Sequence, residues 1–556
     1  MTSIRQHGDE RELTLMARSG DGSVIDPAKL IDPVMNHIRR IAPTVPLDDR
    51  SGVFLTHGRV YRESGGLLEL AAADTQSPLG AVRQSVLLRH VVADALRALE
   101  KDLGLEDFIV SQHNTAYTTH NPSHSTAGHF NITRYLPVSA YLPSLAALGA
   151  ALPYVSGGGG YDMETLQFTL SVRGLRCTQL LSNKTQSERG IIDTKPMPAS
   201  RGQRQQLLGV DNLQSHVQTR IVYTILNLFY TCMENELGSH PRIELSEPVA
   251  DMHRMILGPT IDHTFGTVDG DQLSAAEILR TFLEWYASHL KSDWMPAWAD
   301  HEISIAMKFV DDLDNEGLDG LVGTADHATL HHLWQVTLDE YGLNPEQAEK
   351  ARTALVQMSN AYQGPSILQD AATSFVNCAD ALAGEVGHAS TICTEYLMAA
   401  RSFMQLAYRY GDVRHEGMYA QLVESGMTDK GVLFDTTHVE THANSAAPKC
   451  EGRTAARGEV IIKLHADGIA RASSAGWDSI QTPSLGLLSL TDYANTDTDH
   501  WQKPKPTPPD PRTPATLSDV GFGALHAYMQ AQVEGIHEDD QNRQLLIVDD
   551  DDECPF

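Results

Sequence analysis

Basic residues are in deficit: 42 Lys and Arg stand against 72 Asp and Glu, a formal charge of −30 over 556 residues. That excludes non-specific nucleic-acid binding, which needs a basic surface to meet phosphates. Long hydrophobic runs are missing too. Nothing approaches the roughly 18 apolar residues of a spanning helix, and the start lacks a charged-then-apolar leader pattern, so neither a membrane span nor an export signal is expected. Cysteine is sparse, with Cys177, Cys232, Cys378, Cys393, Cys450 and Cys554 scattered and no CxxC pair. This argues against a disulfide framework and fits reduced, structural thiols in a cytoplasmic protein. A mean hydropathy of −0.26 is that of a globular chain. The length allows one large domain with its own core and a smaller one beside it.

The most informative stretch is Ser51 to Thr75, SGVFLTHGRVYRESGGLLELAAADT. Period-two alternation interrupted by Gly65-Gly66 predicts two strands with a bend between them. Arg59, Tyr61, Glu63 and, across the bend, Glu69 then share one face. A cation, a phenol and two carboxylates on one face suit either a solvated strand or a metal with a phosphate ligand. At the N-terminus, Glu10 and Glu12 are two apart, hence on one face of an opening strand, with Asp9 and Arg11 on the other. That pair suits a hard divalent cation, or ordinary surface charge.

Along the chain, helices are expected over 26–42, 84–103, 217–233, 273–290 and 394–410, with residues 240–400 mostly helical. Strands are expected at Phe108–Val110, His129–Tyr135, Leu166–Val172 and within Arg189–Ser200, with a further short run at Gln206–Asp211. The loop between Val110 and His129 carries His113, His120, His124 and His129. No acidic or Cys partner lies at ligand spacing, so zinc is not expected there. Its Ser123, Ser125, Thr126 and Gly128 suit phosphate oxygens instead. Gly157–Gly160 lacks the Lys-Ser/Thr of a P-loop and the GxGxxG spacing, so it is weak evidence of nucleotide binding and reads equally as a flexible turn. The acidic cluster Asp311, Asp312 and Asp314 reads as solvated. KPKPTPPDPRTP (503–514) reads as an extended linker, followed by an amphipathic helix at 517–535 and a disordered acidic tail past 536.

Taken in order, these motifs resemble the Pup ligase and depupylase family, which shares its fold with glutamine synthetases. GDERELTL resembles the family's opening GIETEFG, and FLTHGRVYRESGGLLELAAADT resembles FLxNGxRLYxDxGxHPEYATxE. HNTAYTTHNPSHSTAGHFNI is similar to NNxDxxGNSYGCHENY, and RGIIDTKPMPA to RPIINTRDEPHA. RYGDVRHEGMYAQLVESG is similar to YHDVxPxxGLYxxLVxxG, while RGEVI and SAGWDSI resemble RGE and SWDSV. The resemblance covers most of residues 8–495. It implies an α+β fold: a glutamine synthetase-like large domain (1–435) with a curved, mainly antiparallel sheet cradle backed by helices. A small C-terminal domain (436–495) follows, then the linker, helix and tail (496–556). It further implies ATP and Mg²⁺, with Glu10, Tyr61 and Glu69 at the magnesium site and Glu12 beside them. Arg59 would meet ATP phosphate and Trp477 the nucleotide, with Lys195, Ser125 and Asn131 as further nucleotide contacts. Glu63 stands where the family has its catalytic Asp.

The chain also departs from the family. HPEY reads Leu67-Leu68-Glu69-Leu70, a family Thr is Ala72, and HEN reads His129-Phe130-Asn131. RDEPHA reads Lys195-Pro196-Met197-Pro198-Ala199, and a metal His falls near Gln206. The ATP end of the pattern is kept and the acceptor end rewritten. The expectation is therefore phosphoryl transfer from ATP to a small-molecule acceptor, as in a nucleoside or other hydroxyl or carboxylate kinase, with Glu63 taking the proton. The alternatives are an isopeptide ligase or depupylase acting on Pup or a Pup-like protein through an acyl phosphate, and a non-catalytic nucleotide-binding scaffold.

Overall fold

The computed structural model describes residues 5–536, apart from 22, 24, 50, 64–66, 116–125, 127, 185–187, 196–202, 259–262, 362–388, 426, 428–451, 477–478, 484–485 and 490–527. Its centre is a ten-stranded, mainly antiparallel sheet. In chain order the elements that build it are β1 (His7–Arg18), helix α1 (Ala28–Ile41), β2 (Val45–Pro46), β3 (Gly52–Leu55), β4 (Gly58–Arg62), β5 (Leu68–Ala72) and helix α2 (Pro78–Leu103). Then follow β6 (Glu106–Ser111), β7 (Gly128–Arg134), the hairpin β8 (Gly160–Asp162) and β9 (Gln167–Thr169), β10 (Cys177–Ser182), β11 (Arg189–Asp193) and β12 (Gln203–Leu207). The sheet runs β10-β11-β12-β7-β1-β5-β4-β3-β2, with β6 on the far half of β1 and only β10 and β11 parallel.

Alternation decides the two faces of β1, β4 and β5. Leu13, Leu15 and Ala17 of β1, Val60 of β4, and Leu68, Leu70 and Ala72 of β5 form one core with Val53, Leu55 and the apolar stripes of α1 and α2. Every second residue therefore points away from those helices, among them Glu10, Glu12, Arg59, Tyr61 and Glu69. α2 begins where Ser77 accepts a bond from Gly80 N–H ahead of Pro78, and ends at left-handed Gly104. The main core lies beyond β7 and β12, around the buried helix His216–Asn235.

The small C-terminal unit comprises helix Gly452–Ala466 and a three-stranded sheet over 474–489. Its Ile461, Leu464, Ala475 and Ile480 pack on Val45, Leu47 and Phe54, at the β2–β3 end of the main sheet. Arg457, from the RGE-like motif, lies over the Phe54 ring at 5.0 Å and 3.4 Å from Asp74. Tyr61 touches this cluster as well as the α1–α2 core, so the unit walls one side of the charged face. A helix at 528–536 returns to the main core, burying Met529, Val533 and Ile536. It overlaps the expected 517–535 helix and runs one residue past it; residues 517–527, the linker and the acidic tail lie outside the described residues.

Several expectations are corrected. Leu166–Val172 is not one strand: Leu166 has φ of 54°, pairing covers Gln167–Thr169, and Ser171 caps a short helix at Val172–Leu175. The run at Gln206–Asp211 belongs to a strand that begins and ends earlier, at Gln203–Leu207. A hairpin, Thr264–Gly266 with Gln272–Ser274, interrupts the helices of 240–400. Gly157–Gly160 is buried, not a flexible turn. A Cβ at Gly158 would sit 2.3 Å from Asn114 Nδ2, and Gly159 has φ of 68°, so backbone approach explains the glycines. The acidic cluster is solvent-accessible as expected, none of its carboxylates being buried, and is ion-paired as well: Asp311 and Asp314 with Arg280, Asp312 with Lys308.

Candidate functional site

Strand register assembles the charged face. Glu12 lies opposite Glu69, Glu69 opposite Tyr61, and Glu10 opposite both Ala71 and His129. Arg59, opposite Ala71, completes the β4 contribution. On the other flank Gln206 faces Asn131, with Arg204 two residues earlier on β12. Asp9 and Arg11 point the other way, as expected: Arg11 donates to Asp9 at 2.6 Å and reaches Thr219 of the buried helix at 3.3 Å.

Glu10 is the hub. Its Oε1 lies 3.1 Å from Arg204 and 3.6 Å from Arg59, and its Oε2 lies 3.6 Å from His129 Nδ1. His129 also stands 3.9 Å from Glu12 and 4.0 Å from Glu69. Arg59 lies over the Tyr61 ring at 4.3 Å and donates to its hydroxyl at 3.2 Å. Ligand atoms of Glu10, Glu69 and His129 come within 4.8 Å of one another. Burial works against ionising Glu10, but the His129 hydrogen bond and the charges of Arg204, His129 and Arg59 outweigh it and hold its carboxyl well below the usual range. Glu69 is pushed up to about 7, first by burial and then by the negative charge of Glu10. Tyr61 is raised by burial and by both carboxylates, so it stays a neutral phenol. Burial opposes protonation of His129, yet the surrounding carboxylates raise its pKa.

The donor set fits a divalent cation. Glu10, Glu12 and Glu69 offer hard oxygen ligands, and the pressure of Glu10 on Glu69 is what a cation between them relieves. The arginines at the edges suit the phosphates such an ion would bridge.

Of the expected site residues, Glu10, Glu12, Tyr61, Glu69 and Arg59 come together. Asn131 joins them beside His129, although its amide is engaged: Oδ1 accepts from Gln206 Nε2 at 2.6 Å and Nδ2 donates to the His129 carbonyl at 3.2 Å. Glu63 is half-buried just beyond the end of β4, its N–H donating to the Leu67 carbonyl at 3.0 Å, so it sits at the rim. Lys195 is exposed past the end of β11, where its N–H donates to Asp193. Ser125 and Trp477 lie outside the described residues. His129 and Arg204 were missed as members of the charged cluster. His129 was visible as a period-two partner of Asn131, but only the β1–β7 and β7–β12 registers bring these side chains to Glu10.

An antiparallel cradle walled by a small C-terminal unit and lined with carboxylates and arginines suits a divalent cation and the phosphates of a nucleotide. The chain belongs to the Pup-ligase family, whose model, described as Pup-ligase protein, matches residues 13–354. It is accordingly an ATP-dependent enzyme of the carboxylate–amine ligase class. Among solved structures it is similar to the ligase PafA in complex with the prokaryotic ubiquitin-like protein Pup, with 15% identity and a TM-score of 0.65 over 100% of this chain and 99% of that one. It is also similar to PafA in complex with ADP, with 15% identity and a TM-score of 0.58 over 79% of this chain and 85% of that one. No curated protein sequence matches. Among the described residues, no helix is long and apolar enough to cross a membrane.

Proposed function

We propose that this enzyme transfers the ATP γ-phosphate to a carboxylate of a Pup-like protein and passes the resulting acyl group to a lysine amine. The supporting observation is the cluster of Glu10, Glu12, Glu69 and His129 between Arg59 and Arg204. Glu10, Glu12 and Glu69, with Tyr61 beside them, would hold a Mg²⁺ ion, which would supply positive charge to the phosphates. Arg59 binds the phosphate oxygens and orients them, and Arg204 holds Glu10 ionised. Phosphoryl transfer releases ADP and leaves an acyl phosphate. Attack of the amine then forms the amide and expels inorganic phosphate, and Glu63 at the rim takes the proton lost by the amine. Family membership favours this acceptor over the small molecule expected from the rewritten motifs, for which the comparisons offer no support.

The test is ADP release and isopeptide formation with Mg-ATP, a Pup-like protein and a lysine-bearing target. Glu63→Gln is expected to lower the rate about 10²-fold through loss of the base. Glu69→Gln is expected to raise the Mg²⁺ requirement and cost roughly 3 kcal/mol in transition-state stabilisation. A stable phosphorylated metabolite seen by phosphorus NMR, with no turnover on the protein substrate, would replace this reading with a kinase.

A further inference from the structure

A second cluster of ligating side chains lies behind the sheet. His90 and Asp94, one turn apart on α2, face the segment Gly411–Gly417 that joins helix Ala389–Tyr410 to helix Met418–Ser425. Asp94 Oδ1 is 3.1 Å from His415 Nε2, and Asp94 Oδ2 is 3.8 Å from His90 Nε2. The two imidazoles meet edge to face, 4.9 Å between centroids and at 78°. One atom from each residue falls within 4.8 Å of the others, and all three are half-buried, open to entry from solvent. α2 packs its apolar stripe on the back of β1 and β5, so the sheet separates this cluster from the carboxylate cradle.

Its neighbours show why it is unusual. Further along α2, Arg97 lies 3.4 Å from Glu416, and Glu100 lies 3.0 Å from Arg414. Those are pairings of permanent charges, with Arg414 also bound to Asp412 at 2.8 Å. At His90, Asp94 and His415, two imidazoles converge on a single carboxylate, a set that a soft-to-borderline cation satisfies with all three at once. We infer that His90, Asp94 and His415 form a binding site for a divalent transition metal of the zinc type, fastening the Gly411–Gly417 segment to α2. Two nitrogens and one oxygen leave coordination positions for water and select against magnesium, which prefers an all-oxygen shell. The segment so fastened edges the sheet: Val413 N–H donates to the Val110 carbonyl at 2.8 Å, and Gln112 N–H to Gly411 at 3.0 Å. Occupancy therefore steadies β6 at the point where the chain leaves it towards β7 and His129.

The experiment titrates Co²⁺ into the full chain in excess Mg²⁺, which under the proposed function would fill the cradle, and follows visible absorption and thermal melting. A d–d band and a raised melting temperature are expected for the wild type. Both should vanish in His90→Ala and His415→Ala and persist in Glu69→Gln. The substituted side chains are half-exposed, and circular dichroism of the metal-free variants checks that each folds. A wild type with no band, a band unchanged in both His variants, or one lost in Glu69→Gln would each overturn the site.

Discussion

Glu10 and Glu69 are the same residue type on neighbouring strands of one sheet face, yet their acidities diverge. Glu10 has two guanidiniums and an imidazole against it, while Glu69 has burial and the charge of Glu10. What each carboxylate can do is therefore fixed by its cross-strand neighbours. Three residues before Glu10, His7 shows the same logic applied to stability. Burial lowers its pKa to about 4, while Asn227 sits 3.2 Å from its Nδ1 and Tyr223 packs on its ring. The native state thus holds His7 neutral, and the unfolded chain protonates it below about 6.5. Below that pH the unfolded state binds the extra proton, so this contribution is complete above 6.5 and is lost as pH falls towards 4. Denaturant melts at pH 7.5 and 5 should show the wild type losing about 2 kcal/mol more than His7→Gln over that interval. An equal loss in both proteins would refute the assignment.

Elements were legible where one physical demand governed them. β1, β4, β5, α1 and α2 could be read from the sequence because helices cover one sheet face and charge lines the other, so alternation and the helical stripe are both visible. Where two demands overlap, the pattern misleads. Leu166–Val172 alternates, but the chain turns at Leu166 and is capped at Ser171 within the same span. Gly157–Gly160 reads as flexible because nothing local reveals that Asp211, Asn114 and His327 crowd it. The Arg220–Glu302 pair was equally hidden, being a contact between two helices 82 positions apart. Its arms meet at 2.6 and 2.7 Å, both side chains being buried. Arg220→Met leaves Glu302 charged and unpaired and should cost about 3–5 kcal/mol. Arg220→Met with Glu302→Leu removes both charges and should recover most of it. Chemical denaturation of the three proteins decides, and a double variant no better than the single would show the pair itself to be the source of stability.

At the scale of the molecule, the chain leaves the ten-stranded sheet and its helices, builds the wall over the β2–β3 edge, and then returns. The return is the helix at 528–536, where Met529 and Val533 are fully buried in the main core and the Tyr528 hydroxyl donates to Gln421 at 2.8 Å. The sequence signalled an amphipathic helix but not its seat, because a stripe says that a face is covered and not by what. Since the seat adjoins residues 409–421, a region with both Arg414 and Asp412, the helix extends the core and does not complete the cradle. Val533→Asp separates these roles. Seating the carboxylate would require a buried charge and forfeit about 1.5–3 kcal/mol of apolar burial, so the helix should detach. Hydrogen exchange across 528–536 should rise to that of an exposed helix and the melting temperature fall by a few degrees. ADP release should survive, because the helix seats Met529, Val533 and Ile536 in the main core and Tyr528 on Gln421. Turnover abolished with the cradle otherwise intact would mean that the returning helix is needed for the chemistry and not only for the core.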